Sequence, residues 1–242
     1  MLAFERRDEI KKILKDDQFV TVDMLAKRFF VSESTIRRDL DKISGDGMIR
    51  RTYGGAVMLD NLSNELPMML REHENTDAKL IVAREAVTHI TNGATIILDT
   101  SSTVTAMIPL LNQFEGLTIV TNGIKTCYLL NSYSKITTYC TGGKLREHNM
   151  SLVGMNACQR LNEINADIAF ISCRGLSVEK GVTEASEEEA QIKKAMINAA
   201  SKTILLCDNS KLDKVFMNRV CELDQLYKII CDTPLDKKYK NI

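Results

Sequence analysis

Short hydroxyl side chains and paired guanidinium groups are concentrated in one segment near the N-terminus of the 242-residue chain. The residues are Ser32, Ser34, Thr35, Arg37 and Arg38. Hydroxyl groups at the start of a helix can reach phosphates and base edges of DNA, and the planar arginine fork matches guanine or phosphate oxygens. The combination is typical of a DNA-recognition helix, whereas an arginine pair without further context is more often a solvated helix surface.

Four polar loops further along the chain could bind a small anionic ligand, and each follows a predicted strand. They are Asp99-Thr100-Ser101-Ser102-Thr103, Thr121-Asn122-Gly123, Thr141-Gly142-Gly143-Lys144 and Asp208-Asn209-Ser210-Lys211. In the first loop, hydroxyls and the free N–H groups of a helix N-terminus would converge on an anion. The second and third loops offer backbone that a ligand can approach closely, with Lys144 as a cation. Asp208 suits sugar hydroxyls and Lys211 suits phosphate. Any one loop could be an ordinary capped turn, but four on one sheet edge favour a binding site.

Two predicted helices precede the recognition segment. The first begins near Phe4 and has Ile10, Ile13 and Leu14 on one face, and the second follows Thr21, which can cap its N-terminus. A short connection then leads into the recognition segment. This arrangement predicts a helix-turn-helix, in which one helix braces the other against the DNA groove.

The recognition segment carries its own helical signals. Ser32 is a good N-cap, and Ile36, Leu40 and Ile43 recur on one helical face. The sequence Gly45-Asp46-Gly47 then stops the helix.

A predicted β-hairpin follows, formed by residues 48–52 and 53–57. Such a hairpin would be the wing of a winged helix-turn-helix. We expect Arg50 and Arg51 on this wing to contact backbone phosphates, which adds affinity and salt dependence without sequence information.

Two motifs together resemble a known family. The sequences "SESTIRRDL" from Ser32 to Leu40 and "RRTYGGAV" from Arg50 to Val57 are similar to the N-terminal domain of the DeoR family of bacterial transcription regulators. The resemblance implies that this domain binds double-stranded operator DNA.

Helices and strands alternate after residue 77, following a polar stretch at residues 59–76 that is typical of a linker. The predicted strands are Thr95–Leu98, Leu117–Thr121, Ile136–Cys140, Asp167–Ile171, Thr203–Cys207 and Lys228–Cys231, and the predicted helices run from Asp77 to about Thr91, from Val104, from Ile124, around Leu152–Leu161 and over Glu187–Ala200. This order predicts an α/β domain with a mostly parallel sheet. The predicted organisation is a winged helix-turn-helix at 1–58, a linker at 59–76 and a ligand-sensing and oligomerisation domain at 77–242.

The ligand loops extend the resemblance over nearly the whole chain. The sequences "LDTSST", "TIVTN", "TGGKL" and "DNSK" are similar, in order and spacing, to the effector domain of DeoR-type regulators. The resemblance implies a phosphorylated sugar as effector and a fold related to ribose-5-phosphate isomerase. This chain has Ser101 where many members have glycine, and Arg174 where an acidic residue is commoner.

Charge and composition are compatible with local DNA binding. The length of 242 residues suggests one large or two modest domains, the 44% hydrophobic content is ordinary for a soluble protein, and the formal net charge is zero. Residues 1–58 contain 12 Lys and Arg against 10 Asp and Glu. Because this surplus is small, we expect dimerisation or tetramerisation to be needed for useful operator affinity.

The remaining chemistry-bearing residues do not form a motif. Seven cysteines lack C-x-x-C spacing and lie mostly in apolar surroundings, which favours buried reduced thiols, and His73, His89 and His148 are scattered. We therefore expect no metal site and no cofactor. No membrane span or signal segment is evident, so we expect a cytoplasmic protein.

Two functions remain open from the sequence. One is a repressor of a sugar-metabolism operon whose operator binding a sugar phosphate modulates, and the other is a phosphosugar isomerase fused to a helix-turn-helix. An isomerase needs a base above the sugar carbon, and Asp99, Glu184 and Asp208 are available. No spacing singles out a proton-transfer pair among them, so no catalytic residue is predicted and the regulator is favoured.

Overall fold

The computed structural model describes residues 1–45, 47–58 and 66–239. The chain divides into two compact units, Met1–Glu74 and Asn75–Ile242. Asp46 of the predicted helix stop and residues 59–65 of the predicted linker lie outside the described residues.

The first unit consists of helices and a small antiparallel sheet. Its elements are α1 (Ala3–Asp17), β1 (Phe19–Thr21), α2 (Val22–Phe29), α3 (Glu33–Ser44), β2 (Ile49–Thr52), β3 (Gly55–Met58) and α4 (Met68–Arg71). The strand order is β1–β3–β2. The predicted winged helix-turn-helix is confirmed. The additional strand β1 was not predicted, because three residues are too few to show strand alternation and β1 forms only by pairing with β3.

The core of the first unit lies between the helices and this sheet. Ile10, Leu25, Ile36 and Leu40 are fully buried there. The close approach of β1 to β3 requires glycine, since a Cβ atom at Gly55 would lie 1.9 Å from the carbonyl oxygen of Val20.

The second unit alternates helices and strands around a parallel sheet. Its elements are α5 (Thr76–Val87), β4 (Thr95–Leu98), α6 (Ser102–Thr105), β5 (Leu117–Thr121), α7 (Ile124–Leu130), β6 (Ile136–Cys140), β7 (Lys144–Arg146), β8 (Ser151–Val153), α8 (Met155–Asn162), β9 (Ala166–Ile171), β10 (Gly175–Ser177), β11 (Gly181–Glu184), α9 (Glu187–Asn198), β12 (Ala200–Cys207), β13 (Asn218–Cys221) and β14 (Lys228–Cys231). The predicted α/β architecture is confirmed.

Six strands form the main sheet in the order β14–β12–β9–β4–β5–β6, with all neighbours parallel. The chain moves outwards from β4 to β6 and then returns to β9 on the other side of β4. The strand order therefore reverses between β4 and β9, and in open α/β sheets ligands bind at the carboxyl ends of the strands beside such a switch.

Both faces of the main sheet are covered by apolar side chains. Ile97 and Leu205 belong to one buried cluster, whereas their strand neighbours Ile96, Leu98 and Ile204 belong to the other. This alternation follows from the two-residue period of a strand. None of the helices in the described ranges combines the length and the apolar character needed to cross a lipid bilayer.

Two predicted helices are wrong in part. The helix expected from Val104 is instead the one-turn helix α6 and a separate 3-10 turn at Ile108–Gln113, because Pro109 lacks the N–H that a continuous helix would need. The segment expected to be helical from Leu152 begins as strand β8. Gly154, with φ of 93°, separates this strand from helix α8.

The short antiparallel pairs were not predicted. Strands β7 and β8 form a hairpin, and β10, β11 and β13 form a separate sheet. Each of these strands has only three or four residues. Their pairing depends on tertiary contacts rather than on a local pattern.

Candidate functional site

The three predicted hydroxyl side chains lie together at the start of the recognition helix α3. The Ser32 side chain accepts a hydrogen bond from the backbone N–H of Thr35 at 3.3 Å, which caps the helix. The Ser32 hydroxyl also lies 2.9 Å from the hydroxyls of both Ser34 and Thr35. The helix therefore presents a compact hydroxyl cluster at its N-terminus.

The two arginines of α3 are held differently. Arg37 donates to the carbonyl oxygen of Tyr53 at 2.9 Å and to the carboxylate of Glu33 at 3.1 Å, and its guanidinium lies 5.7 Å from the Tyr53 ring centroid. Arg38 is exposed and has no ion pair within the described residues. Arg37 thus joins the recognition helix to the wing, while the Arg38 side chain is exposed to solvent.

Of the two arginines of the wing, one is likewise bonded within the protein and the other is exposed. Arg51 donates to the Asp41 carboxylate at 2.9 Å and to the carbonyl oxygen of Gly55. Arg50 is exposed and forms no ion pair with any described residue. Arg51 fixes the wing against α3, and Arg50 remains available for a phosphate.

A buried ion pair fixes α3 against α1. The Asp39 carboxylate lies 2.6 Å from Nε of Arg6 and 3.5 Å from Nη1 of Arg7. Asp39 is almost completely buried. This internal role separates Asp39 from its exposed neighbour Arg38.

In the second unit, Asp99 joins the loops on either side of the strand-order switch. One carboxylate oxygen accepts the backbone N–H of Ser101 at 2.8 Å, and the other accepts that of Ser172 at 2.7 Å. Burial raises the pKa of Asp99, but the Lys193 ammonium and these hydrogen bonds outweigh it, so the pKa lies below its ordinary value. Asp99, predicted to contact the ligand, therefore holds the loops after β4 and β9 together.

The partner of Asp99 is Lys193 on α9, which the sequence did not indicate. Its ammonium lies 3.2 Å from the Asp99 carboxylate and donates to Glu184 at 2.5 Å and to the carbonyl oxygen of Ser172 at 2.6 Å. Burial lowers the pKa of Lys193, whereas Glu184 and Asp99 raise it more strongly, and the net direction is upward. Lys193 lies at helical spacing from the apolar residues Ala190 and Met196, and this spacing is the signal that could have indicated a buried lysine, although not its partners.

Lys211 connects the first and fourth predicted ligand loops. Its ammonium donates to the Thr103 hydroxyl at 3.1 Å and to the Ser172 hydroxyl at 3.0 Å, and it lies 3.6 Å from the Asp208 carboxylate. Burial raises the pKa of Asp208, but Lys211 and hydrogen bonds from Ser210 more than compensate, so its pKa is lowered. A cation, a carboxylate and two hydroxyls are thus gathered at the carboxyl edge of the sheet.

The second loop lies beside the first. A Cβ atom at Gly123 would lie 3.0 Å from the Thr100 methyl group, so the two loops touch. Asn122 is buried and donates to the carbonyl oxygen of Leu152 at 3.0 Å. Its side-chain oxygen is buried without a hydrogen-bond partner within the described residues, so one acceptor beside the first loop is unsatisfied.

The remaining predicted ligand residues are placed in two different ways. Ser101 caps the short helix α6 by accepting the N–H of Val104 at 3.2 Å, and Ser102 is buried in that helix. Gly142 and Gly143 are exposed. Lys144 is also exposed and lies 3.2 Å from Glu188, so its ammonium takes part in a surface ion pair.

The described residues contain no cluster of three or more His, Cys, Asp or Glu side chains suited to a metal ion. All seven cysteines are free thiols: Cys173, Cys207 and Cys221 are buried, Cys127, Cys158 and Cys231 are partly buried, and Cys140 is exposed. The expectation of buried thiols therefore does not hold for Cys140, which ends the edge strand β6.

Two family models match the two units. The DeoR-like helix-turn-helix domain matches residues 6–61, and the DeoR C terminal sensor domain matches residues 74–233. Together the matched ranges include all the predicted DNA-binding and ligand-binding residues.

Similar proteins of known name are transcriptional regulators. The uncharacterized HTH-type transcriptional regulator YulB of Bacillus subtilis is 34% identical, over 98% of this chain and 91% of its own length. The regulator GolR of Listeria innocua is 31% identical over 98% and 93%. The repressor GlcR of Bacillus subtilis is 32% identical over 96% and 89%. These relatives decide against the isomerase alternative.

Among solved structures, ribose 5-phosphate isomerase A from Methanocaldococcus jannaschii is similar to part of the chain. The identity is 23%, the TM-score is 0.43, and the match covers 57% of this chain and 55% of the isomerase. A likeness this partial says nothing about activity. The family models and the full-length relatives agree, and this chain belongs to the DeoR family of helix-turn-helix transcriptional regulators, with an N-terminal DNA-binding domain and a C-terminal sensor domain.

Proposed function

We propose that this regulator represses a sugar-metabolism operon and that a phosphorylated sugar, bound at the carboxyl edge of the main sheet, modulates its affinity for operator DNA. The observation that carries the proposal is the position of the Lys211 ammonium, 3.1 Å from the Thr103 hydroxyl and 3.0 Å from the Ser172 hydroxyl. A cation beside hydroxyl groups is suited to phosphate, because the ammonium can donate to a phosphate oxygen and a hydroxyl can rotate to donate as well. The name of the related protein GlcR, a repressor, supports the direction of regulation.

The proposed phosphate ligands are Lys211 and the hydroxyls of the first loop. The one-turn helix α6 contributes little dipole, so the ammonium and the hydroxyls supply the attraction. In the complex, phosphate oxygens would replace the Thr103 and Ser172 hydroxyls as acceptors of the hydrogen bonds that Lys211 donates. Charge-assisted bonds to phosphate are stronger than bonds between an ammonium and neutral hydroxyls, so this exchange is favourable.

The proposed sugar ligands are Asp208 and Asn122. The Asp208 carboxylate accepts hydrogen bonds from Ser210 and from the Asn75 amide at 3.3 Å, and its lowered pKa keeps it ionised and able to accept from sugar hydroxyls. The free side-chain oxygen of Asn122 can accept a further hydroxyl. The bound sugar phosphate acts in this proposal as an effector and not as a cofactor.

DNA binding in this proposal depends on the hydroxyl cluster of α3 together with Arg38 and Arg50. We infer a homo-oligomer, because the first unit has a small surplus of positive charge and operator half-sites require paired recognition helices. Operator binding in turn implies a location in the cytoplasm. Light scattering coupled to size exclusion measures the oligomeric state directly, and a monomer at micromolar concentration would contradict this part.

The experiment is a melting-temperature screen of the full chain against pentose and hexose phosphates, the matching free sugars and inorganic phosphate. We expect one phosphorylated sugar to stabilise the protein, by about 2.7 kcal/mol at a hundred times its Kd, and the free sugar to stabilise it much less. The stabilising compound is then added to an operator titration, in which operator affinity should change. Equal stabilisation by the free sugar, or turnover of the sugar phosphate, would contradict the proposal.

A further inference from the structure

Two cysteines end neighbouring strands of the main sheet at the same level. Cys207 is the last residue of β12, Cys231 is the last residue of β14, and the register of the parallel pair places them directly opposite each other. Neighbouring strands are roughly 4.8 Å apart, and directly opposite side chains share one face of the sheet. That spacing lies within the range of about 4.4–6.8 Å that a disulfide allows between Cα atoms.

The two thiols differ in access and in acidity. Cys207 is fully buried, whereas Cys231 is partly exposed and lines a cavity of about 680 Å³. A hydrogen bond from the Cys207 thiol lowers the pKa of Cys231 to about 7, against the opposing effects of burial and of Asp232. The same hydrogen bond and burial hold the pKa of Cys207 well above its ordinary value. A small oxidant in the cavity would therefore meet Cys231 first, and would meet it partly as thiolate.

We propose that Cys207 and Cys231 form a reversible, peroxide-induced disulfide, with Cys231 as the thiol that is oxidised first. The Cys231 thiolate attacks the O–O bond of a hydroperoxide, which gives a sulfenic acid and releases water or an alcohol after one proton is taken up. The Cys207 sulfur then attacks the sulfenic sulfur, the S–S bond forms, and a second water leaves with the Cys207 proton. Two thiols are oxidised to one disulfide, and one peroxide is reduced.

The disulfide would lie next to the proposed ligand loop. Cys207 is followed directly by Asp208, and the Asp232 carboxylate after Cys231 accepts the backbone N–H of Asn209 at 2.7 Å. The inference goes beyond the proposed function, because disulfide formation requires no sugar phosphate. It can therefore fail or succeed independently of the effector.

The test uses the full chain with Cys140→Ser, which removes the exposed thiol that could cross-link two copies. The reduced protein is treated with equimolar hydrogen peroxide, alkylated and digested with trypsin. Cys207 and Cys231 lie in separate tryptic peptides, Thr203–Lys211 and Ile229–Lys237, each with a single cysteine. We expect these two peptides to be joined with the loss of two hydrogen atoms, and to separate again after reduction with dithiothreitol.

Variants establish the order of the two steps. With Cys207→Ala, Cys231 should accumulate as a sulfenic acid that dimedone traps, whereas Cys231→Ser should yield neither the sulfenic acid nor the disulfide. Cys127→Ser is the matched control and should leave the cross-link intact. The peptide map of the Cys140→Ser protein contains no substitution in the core. It therefore tests the disulfide even if Cys207→Ala fails to fold. Cross-links that map to other cysteines, or the absence of this cross-link, would overturn the proposal.

Discussion

The Lys193 ammonium lies 3.2 Å from the Asp99 carboxylate, and this buried pair connects helix α9 to the loop after β4 beside the strand-order switch. The same ammonium donates to Glu184 at 2.5 Å. One buried cation is thus paired with two buried carboxylates. Buried charges are tolerated only when they are paired and hydrogen-bonded, so the loop geometry of the sensor domain depends on this lysine.

Replacing Lys193 by methionine should destabilise the sensor domain strongly. Two carboxylates would be left buried without a counter-ion, and removing one partner of a buried pair costs roughly 3–5 kcal/mol. Urea unfolding followed by far-UV circular dichroism measures the change. Lys194→Met, at the exposed neighbouring position, is the matched control and should shift the unfolding midpoint little. Equal midpoints for the two variants would mean that the ion pair contributes no stability.

The main sheet and the recognition helix could be predicted because their signals are local. Ser32 followed by apolar residues at helical spacing defines α3, and apolar runs followed by turn residues define strands such as Leu117–Thr121. The predicted ends of β5, β6 and β14 coincide with the observed ones. The positions of the ligand loops could be predicted from the same signal, because each loop begins where an apolar run ends.

The partners of the charged side chains could not be predicted in this way. Lys193 and Lys194 are adjacent and identical in type, yet only Lys193 is buried. Its partners Asp99 and Glu184 belong to other parts of the sheet structure and come together with it only in the folded domain. Arg37 and Arg51 match a DNA-binding pattern as well as Arg38 does. Their bonds to Tyr53 and Asp41 depend on how the wing packs on α3, which is a tertiary property.

Arg38→Ala should weaken operator binding by removing an exposed side chain from the recognition helix. If Arg38 contacts a base, its loss should cost about 1–3 kcal/mol of binding free energy on the operator alone. If Arg38 contacts a phosphate, the affinity for all DNA sequences should fall alike, and the slope of log K against log salt concentration should decrease by about one. Fluorescence titrations on operator and scrambled duplexes at several salt concentrations distinguish these outcomes. Lys12→Ala removes the same charge from the exposed surface of α1 and should change only the weak background attraction.

Arg37→Ala should act differently, because Arg37 is bonded to Glu33 and to the Tyr53 carbonyl oxygen. We expect a loss of operator affinity together with a lower melting temperature of the DNA-binding domain, since the wing loses an anchor. Arg38→Ala should leave that melting temperature nearly unchanged. Unchanged operator affinity in both arginine variants would contradict the assignment of α3 as the recognition helix.

The reactivity of Cys231 should depend on pH around neutrality. Only the thiolate is nucleophilic, so alkylation should accelerate as the pH rises through the pKa of about 7. Cys207→Ala removes the hydrogen bond that lowers this pKa, and the midpoint should move up towards about 8.5. Iodoacetamide labelling from pH 5 to 10, quantified on the Ile229–Lys237 peptide, gives both curves. Identical midpoints in the two proteins would show that Cys207 does not tune Cys231.

Lys211→Ala should weaken binding of the cognate sugar phosphate by about 1.5–3 kcal/mol, the range for hydrogen bonds to charged groups. Operator affinity without effector should stay nearly intact, because Lys211 lies in the sensor domain and the recognition helix in the other unit. If the effector is an inducer, the variant should act in cells as a super-repressor. Lys214→Ala, an exposed lysine three residues further on, is the matched control. Calorimetric titrations with the sugar phosphate and with the free sugar test the assignment: an equal loss of affinity for both would mean that Lys211 does not bind the phosphate.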